Sequence, residues 1–335
     1  MIHDMAALER VKLWIPIKSL GWVNVYIDPG ARFMVDAGML SGRSALELAT
    51  VLKGKGSSLC GLDGVVITHF HVDHSSMAAL LAEAGSPTLY MGWRDLKVVE
   101  GGVEVFIRSA LQIFMESGLP KGEAEEILSS HPAMRLKYAY DTVRGLNWRP
   151  LREGDTLVIG GKRFKVLELP GHTPGHIGLL DEEEGALYSG DVLLQGITPH
   201  ITLHDWGDDP LGDYLSTLRR IAEMDIRVVY PGHRDPITMP GRRALEILEH
   251  HRRRLQEVAD LLDRYGPMSG YDVARRVRWR VRYKRWDEYP MAERFFAVGE
   301  ALAHLRRLEV EGRAERFWRG GVVYWRSVNP PVNGG

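Results

Sequence analysis

The chain is poor in cysteine and in long apolar runs. Its 335 residues include one cysteine, Cys60, which excludes an intramolecular disulfide framework, a cysteine-based zinc finger and an iron–sulfur cluster, because each needs several sulfur atoms. No stretch of about 18 uncharged apolar residues is present to span a bilayer, and residues 1–12 lack the apolar core of a signal peptide. We therefore expect a cytoplasmic protein with no membrane partner.

The chain also lacks an excess of charge of either sign. It has 43 Lys and Arg against 44 Asp and Glu, a net charge of −1, so no global field attracts the molecule to nucleic acid or membrane. The charge is uneven, however, because the segment from Arg242 onward has 20 basic and 13 acidic residues. With 44% hydrophobic and 26% charged residues, the composition is that of an ordinary globular protein of about two domains.

Three common catalytic signatures are absent from the sequence. We find no Gly-x-Ser-x-Gly, no Gly-x-x-x-x-Gly-Lys and no Gly-x-Gly-x-x-Gly, so no motif supports a serine hydrolase, a P-loop enzyme or a dinucleotide-binding protein. What the chain does have is four metal-ligand side chains within six residues. They follow the run Gly64–Thr68, which is typical of a buried strand, and they are His69, His71, Asp73 and His74.

The spacing of these four residues suggests two neighbouring ions. In an extended segment, residues i and i+2 point the same way, so His69 and His71 can share one ion, whereas Asp73 and His74, after the chain turns, can face another. Imidazole and carboxylate ligands suit zinc, and also manganese or iron, while the lack of thiolate argues against Cu(I). The alternative, polar residues at a strand end with no ligand role, does not explain the clustering.

Three later residues extend the set. His172, Asp191 and His233 each follow an apolar strand and lie beside Gly or Pro, and such strand ends are where binding sites are commonly built. Taken singly, each is an ordinary loop histidine or turn aspartate. Together, the five His and two Asp can give two divalent metal ions three or four ligands each, with a position for water between the ions.

This pattern resembles the metallo-β-lactamase superfamily, in its dinuclear hydrolase branch. The resemblance covers about residues 13–240 and implies an α/β fold, an αβ/βα sandwich of two mixed sheets with helices outside and the metals at one edge. The motifs that carry it are His-Phe-His-Val-Asp-His at 69–74, Gly-His-Thr-Pro-Gly-His at 171–176, Ser-Gly-Asp at 189–191 and Pro-Gly-His at 231–233.

The resemblance also implies a role for each ligand. His69, His71 and His172 would hold the first ion and Asp73, His74 and His233 the second, with Asp191 bridging them. Two further residues would support the centre without binding metal: Asp36 matches the mainly structural acidic motif of the family, and His176 would lie behind the ligands.

The expected chemistry is hydrolysis by a metal-bridging hydroxide. Two cations about 3.5–4 Å apart lower the pKa of a shared water and stabilise the oxyanion that its attack creates. The catalytic residue Asp73 would orient that hydroxide and could take or return a proton. The cofactors would be two divalent ions, zinc being favoured over manganese and iron.

The favoured substrate is a small acyl compound, a thioester or an ester. The oxygen-reducing flavodiiron branch of the superfamily has Glu in place of His71, and lactone hydrolases often have Tyr shortly after the bridging Asp, where this chain has Val192-Leu193-Leu194. Both departures argue against those activities. Thr198 and His200, shortly after Asp191, are predicted to contact the substrate because they are adjacent to it in sequence.

The predicted domains are a catalytic domain at 1–240, a C-terminal domain at 241–328 and a loose tail at 329–335. The catalytic domain has a helical insertion at about 93–148, which would form either a wall or lid over the metals or a packing surface, including a homodimer interface. Within the C-terminal domain, residues 266–325 resemble the winged-helix-like extension of some hydrolases of this superfamily.

Two other functions remain open. The segment Arg275–Arg285 interleaves basic and aromatic residues, a composition that can bind single-stranded nucleic acid, so a metal-dependent nuclease is the first alternative. We favour the view that its arginines form a solvated face and pair with acidic residues such as Asp272 and Asp287. A metal-stabilised binding protein is the second alternative, although seven ligands exceed what a structural zinc needs.

Overall fold

The computed structural model describes residues 7–17, 20–131, 134 and 136–328. The chain divides into two compact units. Unit 1 comprises Met1–Val103, Leu136–Pro199 and Thr217–Leu245, and unit 2 comprises Glu104–Arg135, His200–Ser216 and Glu246–Gly335. This division differs from the predicted domains, because 104–135 and 200–216 group with the C-terminal segment. The predicted tail at 329–335 lies outside the described residues.

The first sheet of unit 1 has six strands in sequence order. Strands β1 to β3 pair antiparallel, and β3 to β6 pair parallel. The central strand β4, Gly-Val-Val-Ile, is buried throughout, as its uncharged β-branched sequence predicts. The six strands are β1 (Glu9–Trp14), β2 (Trp22–Ile27), β3 (Phe33–Val35), β4 (Gly64–Ile67), β5 (Thr88–Gly92) and β6 (Trp148–Leu151).

The second sheet of unit 1 has five strands in the order β11-β10-β9-β8-β7, of which β10 and β11 pair parallel and the others antiparallel. One buried cluster unites the two sheets, and in it the ring of Tyr26 on β2 meets that of Tyr188 on β10 at 5.0 Å. The predicted sandwich of two mixed sheets is confirmed. The strands are β7 (Thr156–Ile159), β8 (Lys162–Glu168), β9 (Ile177–Asp181), β10 (Ala186–Gly190) and β11 (Val228–Pro231).

Two of the helices begin at a serine that caps the first turn. Ser41 accepts a hydrogen bond from the backbone of Ser44 at the start of α1, and Ser269 caps α10 in the same way. No helix in the described part of the chain combines the length and apolar character that crossing a bilayer requires. The α-helices are α1 (Gly42–Gly54), α2 (Val72–Ser75), α3 (Ala78–Gly85), α4 (Trp93–Gly101), α5 (Val103–Glu116), α6 (Lys121–Ser130), α7 (Lys137–Val143), α8 (Pro210–Glu223), α9 (Pro240–Tyr265), α10 (Gly270–Arg276) and α11 (Met291–Val310).

Unit 2 combines helices with a small sheet. Its strands β12 (Met268–Ser269), β13 (Ala314–Arg319) and β14 (Val322–Ser327) are ordered β12-β14-β13, and α11 packs against α6 and α10. The indole of Trp325 on β14 is fully buried. The C-terminal helices and the closing hairpin therefore match the sequence pattern, while the likeness to a winged helix stays a prediction.

The arginine-rich segment Arg275–Arg285 of unit 2 carries ion pairs. Arg276 lies 3.7 Å from Asp272, one helical turn earlier, and Arg285 pairs with Asp287. These arginines are exposed, and exposed pairs of this kind stabilise little. The observed pairs are those expected of a solvated face.

We expect the core between the two sheets to be sensitive to truncation. Phe164 on β8 is fully buried in the shared cluster, so Phe164→Ala should lower the free energy of unfolding by about 3–5 kcal/mol. Chemical denaturation followed by circular dichroism measures this change. Val158→Ala on the neighbouring strand β7 is the control, because Val158 is 65% exposed and its truncation should cost about 0.5 kcal/mol or less. Equal losses for the two variants would contradict this placement of the core.

Candidate metal centre

All seven predicted ligands meet at one place in unit 1. The turn after β4 supplies His69 and His71, and α2 supplies Asp73 and His74, while the loop before β9 and the ends of β10 and β11 supply His172, Asp191 and His233. Their ligand atoms form three overlapping groups, within each of which all atoms lie within 4.8 Å of one another. The groups are His69, His71 and His172; His69, His74 and Asp191; and Asp73, His74 and His233.

The first group contains only imidazoles. His71 Nδ1 lies 3.0 Å from His69 Nε2 and 3.1 Å from His172 Nε2. Burial, together with the neighbouring histidines, lowers the pKa of His69 and of His71 well below the ordinary value. These rings therefore stay neutral at neutral pH, and a neutral imidazole offers the lone pair that a metal ion needs.

His233 is oriented by the backbone of the first sheet. Its Nδ1 donates a hydrogen bond of 2.8 Å to the carbonyl oxygen of Trp22, and a carbonyl can only accept. In the neutral ring the lone pair is therefore on Nε2, which lies 3.2 Å from Asp73 Oδ2 and 3.5 Å from Asp191 Oδ2. Two carboxylates and one imidazole lone pair thus converge on the same point.

His74 is oriented in the same way by a carboxylate. Its Nδ1 lies 2.8 Å from Asp36 Oδ2, and its Nε2 lies 3.6 Å from Asp191 Oδ2. Asp36 also accepts hydrogen bonds from the backbone and the hydroxyl of Thr68, which fixes its carboxylate. Asp36 therefore has the supporting position that the sequence predicts.

The facing charges of this second group shift the pKa values of its members. Burial by itself lowers the pKa of His74 and of His233, but the facing carboxylates, above all Asp191, outweigh it and raise both pKa values. Burial by itself raises the pKa of Asp73, but His74 and His233 have the larger effect and lower it to about 2. The pKa of Asp191 is likewise lowered, by His233 and His74. Both carboxylates are thus ionised at neutral pH.

The donor set fits a pair of divalent metal ions. Within the described residues, His74 Nε2, His233 Nε2 and Asp191 Oδ1 are buried and have no hydrogen-bond partner. A buried polar atom without a partner is costly, and all three atoms can act as metal ligands. Asp191 belongs to the group with His69 and His74 and also faces His233, so it lies between the other two groups.

Asp95 is a residue of this site that the sequence did not reveal. It is fully buried in the first turn of α4 and accepts hydrogen bonds from Phe70 N at 3.0 Å, Thr173 Oγ1 at 2.7 Å and Gly175 N at 2.6 Å. Burial raises its pKa to about 7, against the effect of these donors. Asp95 thereby ties the loop that holds His69 and His71 to the loop that holds His172.

Two other side chains hold the ligand loops in place. The hydroxyl of Tyr140, on α7, accepts a hydrogen bond of 3.1 Å from the backbone of Val72, next to the ligand Asp73. His176 Nε2 accepts one of 3.1 Å from the backbone of Asp191. That nitrogen is occupied, which agrees with the expectation that His176 lies behind the ligands.

Glycine is required at two positions beside the ligands. A Cβ on Gly190, where φ is +50°, would lie 2.5 Å from Thr68 Oγ1. A Cβ on Gly232 would lie 2.4 Å from His74 Cε1 and 2.6 Å from Asp191 Oδ1. The Ser-Gly-Asp and Pro-Gly-His motifs therefore let the backbone approach the ligands closely.

The two predicted substrate contacts fall in different units. Thr198 is half-buried in unit 1, in the loop that follows β10. His200 belongs to unit 2, where its Nε2 is hydrogen-bonded to Thr202 and its Nδ1 lies 3.6 Å from Glu300. Contact of either residue with substrate stays a prediction.

We expect Asp36→Asn to weaken metal binding. Asp36 has φ of +59°, which Asn tolerates, so the backbone should be preserved. The amide has one acceptor oxygen in place of two, and it cannot serve both Thr68 and His74. Loss of such a partner behind a ligand typically lowers metal affinity about 10- to 100-fold, which competition with a chromophoric chelator measures.

The matched control is Asp181→Asn. Asp181 is another buried aspartate of unit 1, and it accepts hydrogen bonds from Glu183 and Glu184 in the turn after β9. Its variant should bind metal as tightly as the unmodified chain. Metal affinity that is unchanged in Asp36→Asn would show that Asp36 does not support His74 as described.

Comparison with known proteins agrees with this geometry. The protein named "Probable metallo-hydrolase YqjP" of Bacillus subtilis (strain 168) is 28% identical over 331 residues, 92% of this chain and 95% of its own. An acyl-coenzyme A thioesterase of Bos taurus is 25% identical over 67% of this chain and 73% of its own. The crystal structure of a metallo-beta-lactamase family protein from Thermus thermophilus superposes with a TM-score of 0.78, at 27% identity, over 96% of this chain and 99% of its own.

The family model of the metallo-beta-lactamase superfamily matches residues 19–233. This range contains the seven ligands and both sheets except β1. The chain belongs to the metallo-beta-lactamase superfamily.

Proposed function

We propose that this chain hydrolyses a small acyl substrate, a thioester or an ester, at two divalent metal ions. That it is a metal-dependent hydrolase follows from its family and its metallo-hydrolase relatives. The observation that carries the dinuclear proposal is that two groups of ligand atoms meet at one carboxylate, Asp191. A single structural ion would not need seven side chains.

The ligands divide into two sets. His69, His71 and His172 would hold one ion and Asp73, His74 and His233 the other, with Asp191 shared between them. Nitrogen and oxygen donors support zinc, and are also compatible with manganese or iron. When bound, such a pair of ions supplies a water of lowered pKa and stabilises negative charge on a substrate oxygen.

Asp73 would orient the attacking water. Because its pKa is lowered to about 2, its carboxylate is ionised at neutral pH and can accept a hydrogen bond from that water. The same carboxylate could also take or return a proton during the reaction. Hydrogen bonds that hold Val72 and Phe70 in place keep this segment rigid.

The acyl substrate is supported by likeness to a relative. The similarity to an acyl-coenzyme A thioesterase supports a thioester in particular.

We expect Asp73→Asn to lower kcat for thioester hydrolysis about 10²- to 10⁴-fold, because the neutral amide orients water poorly. Release of free thiol from a series of acyl-coenzyme A esters of increasing chain length, with matched oxygen esters, measures turnover. The control is Asp63→Asn, an exposed aspartate of unit 1 that pairs with Arg32, and it should leave turnover unchanged. The metal content of each variant is measured in the same samples.

Two outcomes would count against the proposal. Full turnover by Asp73→Asn would show that Asp73 takes no part in the reaction. Metal-loaded protein that hydrolyses none of the thioesters or esters would instead favour the metal-stabilised binding protein.

The nuclease alternative rests on Arg278, Arg280 and Arg282, which are all exposed. However, the indole of Trp279 between them donates to the carbonyl of Ala274 and is covered by the guanidinium of Arg254 at 4.4 Å. An aromatic ring packed in this way is poorly placed to stack on a base.

Replacing all three arginines by alanine should leave thioester turnover unchanged, because the seven ligands belong to unit 1 and these arginines to unit 2. Assays of the unmodified chain and the triple variant on a labelled single-stranded RNA test the alternative. We expect no cleavage by either protein. Salt-sensitive cleavage that the triple variant loses would favour the nuclease.

A further inference from the structure

Unit 2 contains its own group of potential metal ligands. One ligand atom from each of His250, His251 and Glu300 lies within 4.8 Å of the others. His251 is fully buried, His250 is half-buried, and the side chain of Glu300 is 18% exposed. The two histidines lie on α9 and the glutamate on α11, so the group joins two helices. None of these residues belongs to the seven ligands of unit 1.

A hydrogen-bond relay fixes the proton positions in this group. His304 Nδ1 lies 2.7 Å from the backbone carbonyl oxygen of Glu300, and since a carbonyl can only accept, Nδ1 carries the proton. In a neutral ring His304 Nε2 is then the acceptor, and His251 Nδ1 lies 3.2 Å from it. His251 therefore donates from Nδ1, which leaves the lone pair on its Nε2.

The environment keeps both rings neutral. Burial lowers the pKa of His304 to about 4 and that of His251 well below its ordinary value. His251 Nε2 is buried and, within the described residues, has no hydrogen-bond partner. A buried acceptor without a partner destabilises the fold. A metal ion that accepts the lone pair of His251 Nε2 would remove this destabilisation.

Glu300 supplies the negative charge. Burial raises its pKa, but the interaction with His200 outweighs this effect and lowers it, so the carboxylate is ionised. The neighbouring positive charge, Arg254, lies 3.8 Å from Glu300 and is also paired with Glu257 at 3.2 Å. Because Arg254 has a second carboxylate partner, it only partly neutralises Glu300.

We propose that His250, His251 and Glu300 form a third metal site, which binds one zinc ion and links α9 to α11. Two imidazoles and one carboxylate are a donor set that zinc uses, with water as a fourth ligand. His304 orients His251 through the other ring nitrogen, as partners behind metal-bound histidines commonly do. Loading the site stabilises unit 2, because the folded chain binds the ion and the unfolded chain does not.

Zinc stoichiometry of the full chain tests the proposal. Chelator-treated protein is saturated with Zn²⁺, freed of excess metal by gel filtration and subjected to elemental analysis. We expect three zinc ions in the unmodified chain and two in His250→Ala and in Glu300→Gln, with thioester turnover unchanged in His250→Ala. His204→Gln, which replaces another histidine of unit 2 that is half-buried and lies outside the group, should retain three.

A second measurement separates the new site from the centre in unit 1. Asp191→Ala should weaken metal binding at the seven-ligand centre and still bind the ion at His250, His251 and Glu300, so that added Zn²⁺ raises its Tm. Combining it with His250→Ala should make that shift smaller. Because His250 is half-buried on a helix surface, its replacement is expected to fold even if Glu300→Gln does not. Equal zinc content in the unmodified chain and His250→Ala, or equal Tm shifts in Asp191→Ala with and without His250→Ala, would overturn the proposal.

Discussion

The metal centre of unit 1 depends on several buried acceptor atoms that surround one carboxylate, that of Asp191. The Nε2 atoms of His74 and His233 lie 3.6 and 3.5 Å from the same oxygen of Asp191, and the nearby Asp73 adds a second negative charge. Burying ionised carboxylates is costly unless positive charge compensates them. Protons on His74 and His233 can supply that compensation, and so can divalent cations held by the same side chains.

The sandwich fold brings these acceptor atoms together. Ligands reach the centre from β4 in the first sheet and from β10 and β11 in the second, so the centre connects the two sheets. A second connection reinforces it, because the side-chain amide of Asn24 on β2 donates to the carbonyls of Pro231 and Arg234, on either side of His233. These hydrogen bonds hold the segment around His233 against the first sheet.

The sequence predicted the ligands better than their supports. The seven ligands stand in compact motifs at strand ends, where local pattern is informative. Asp95, by contrast, looks like any acidic residue in a first helical turn, and its role arises from Gly175, 80 residues later. The pair His250 and His251 was missed for a related reason: neighbours on a helix point about 100° apart, and Glu300 completes the group only through tertiary packing.

The most direct test of the dinuclear centre is an anomalous-scattering map from crystals of the zinc-loaded chain. The account predicts two ions among the seven ligands. One should lie about 2.0–2.1 Å from nitrogens of His69, His71 and His172, and the other beside Asp73, His74 and His233, with Asp191 between the two ions. A single ion among these residues, or an active protein with none, would contradict the account.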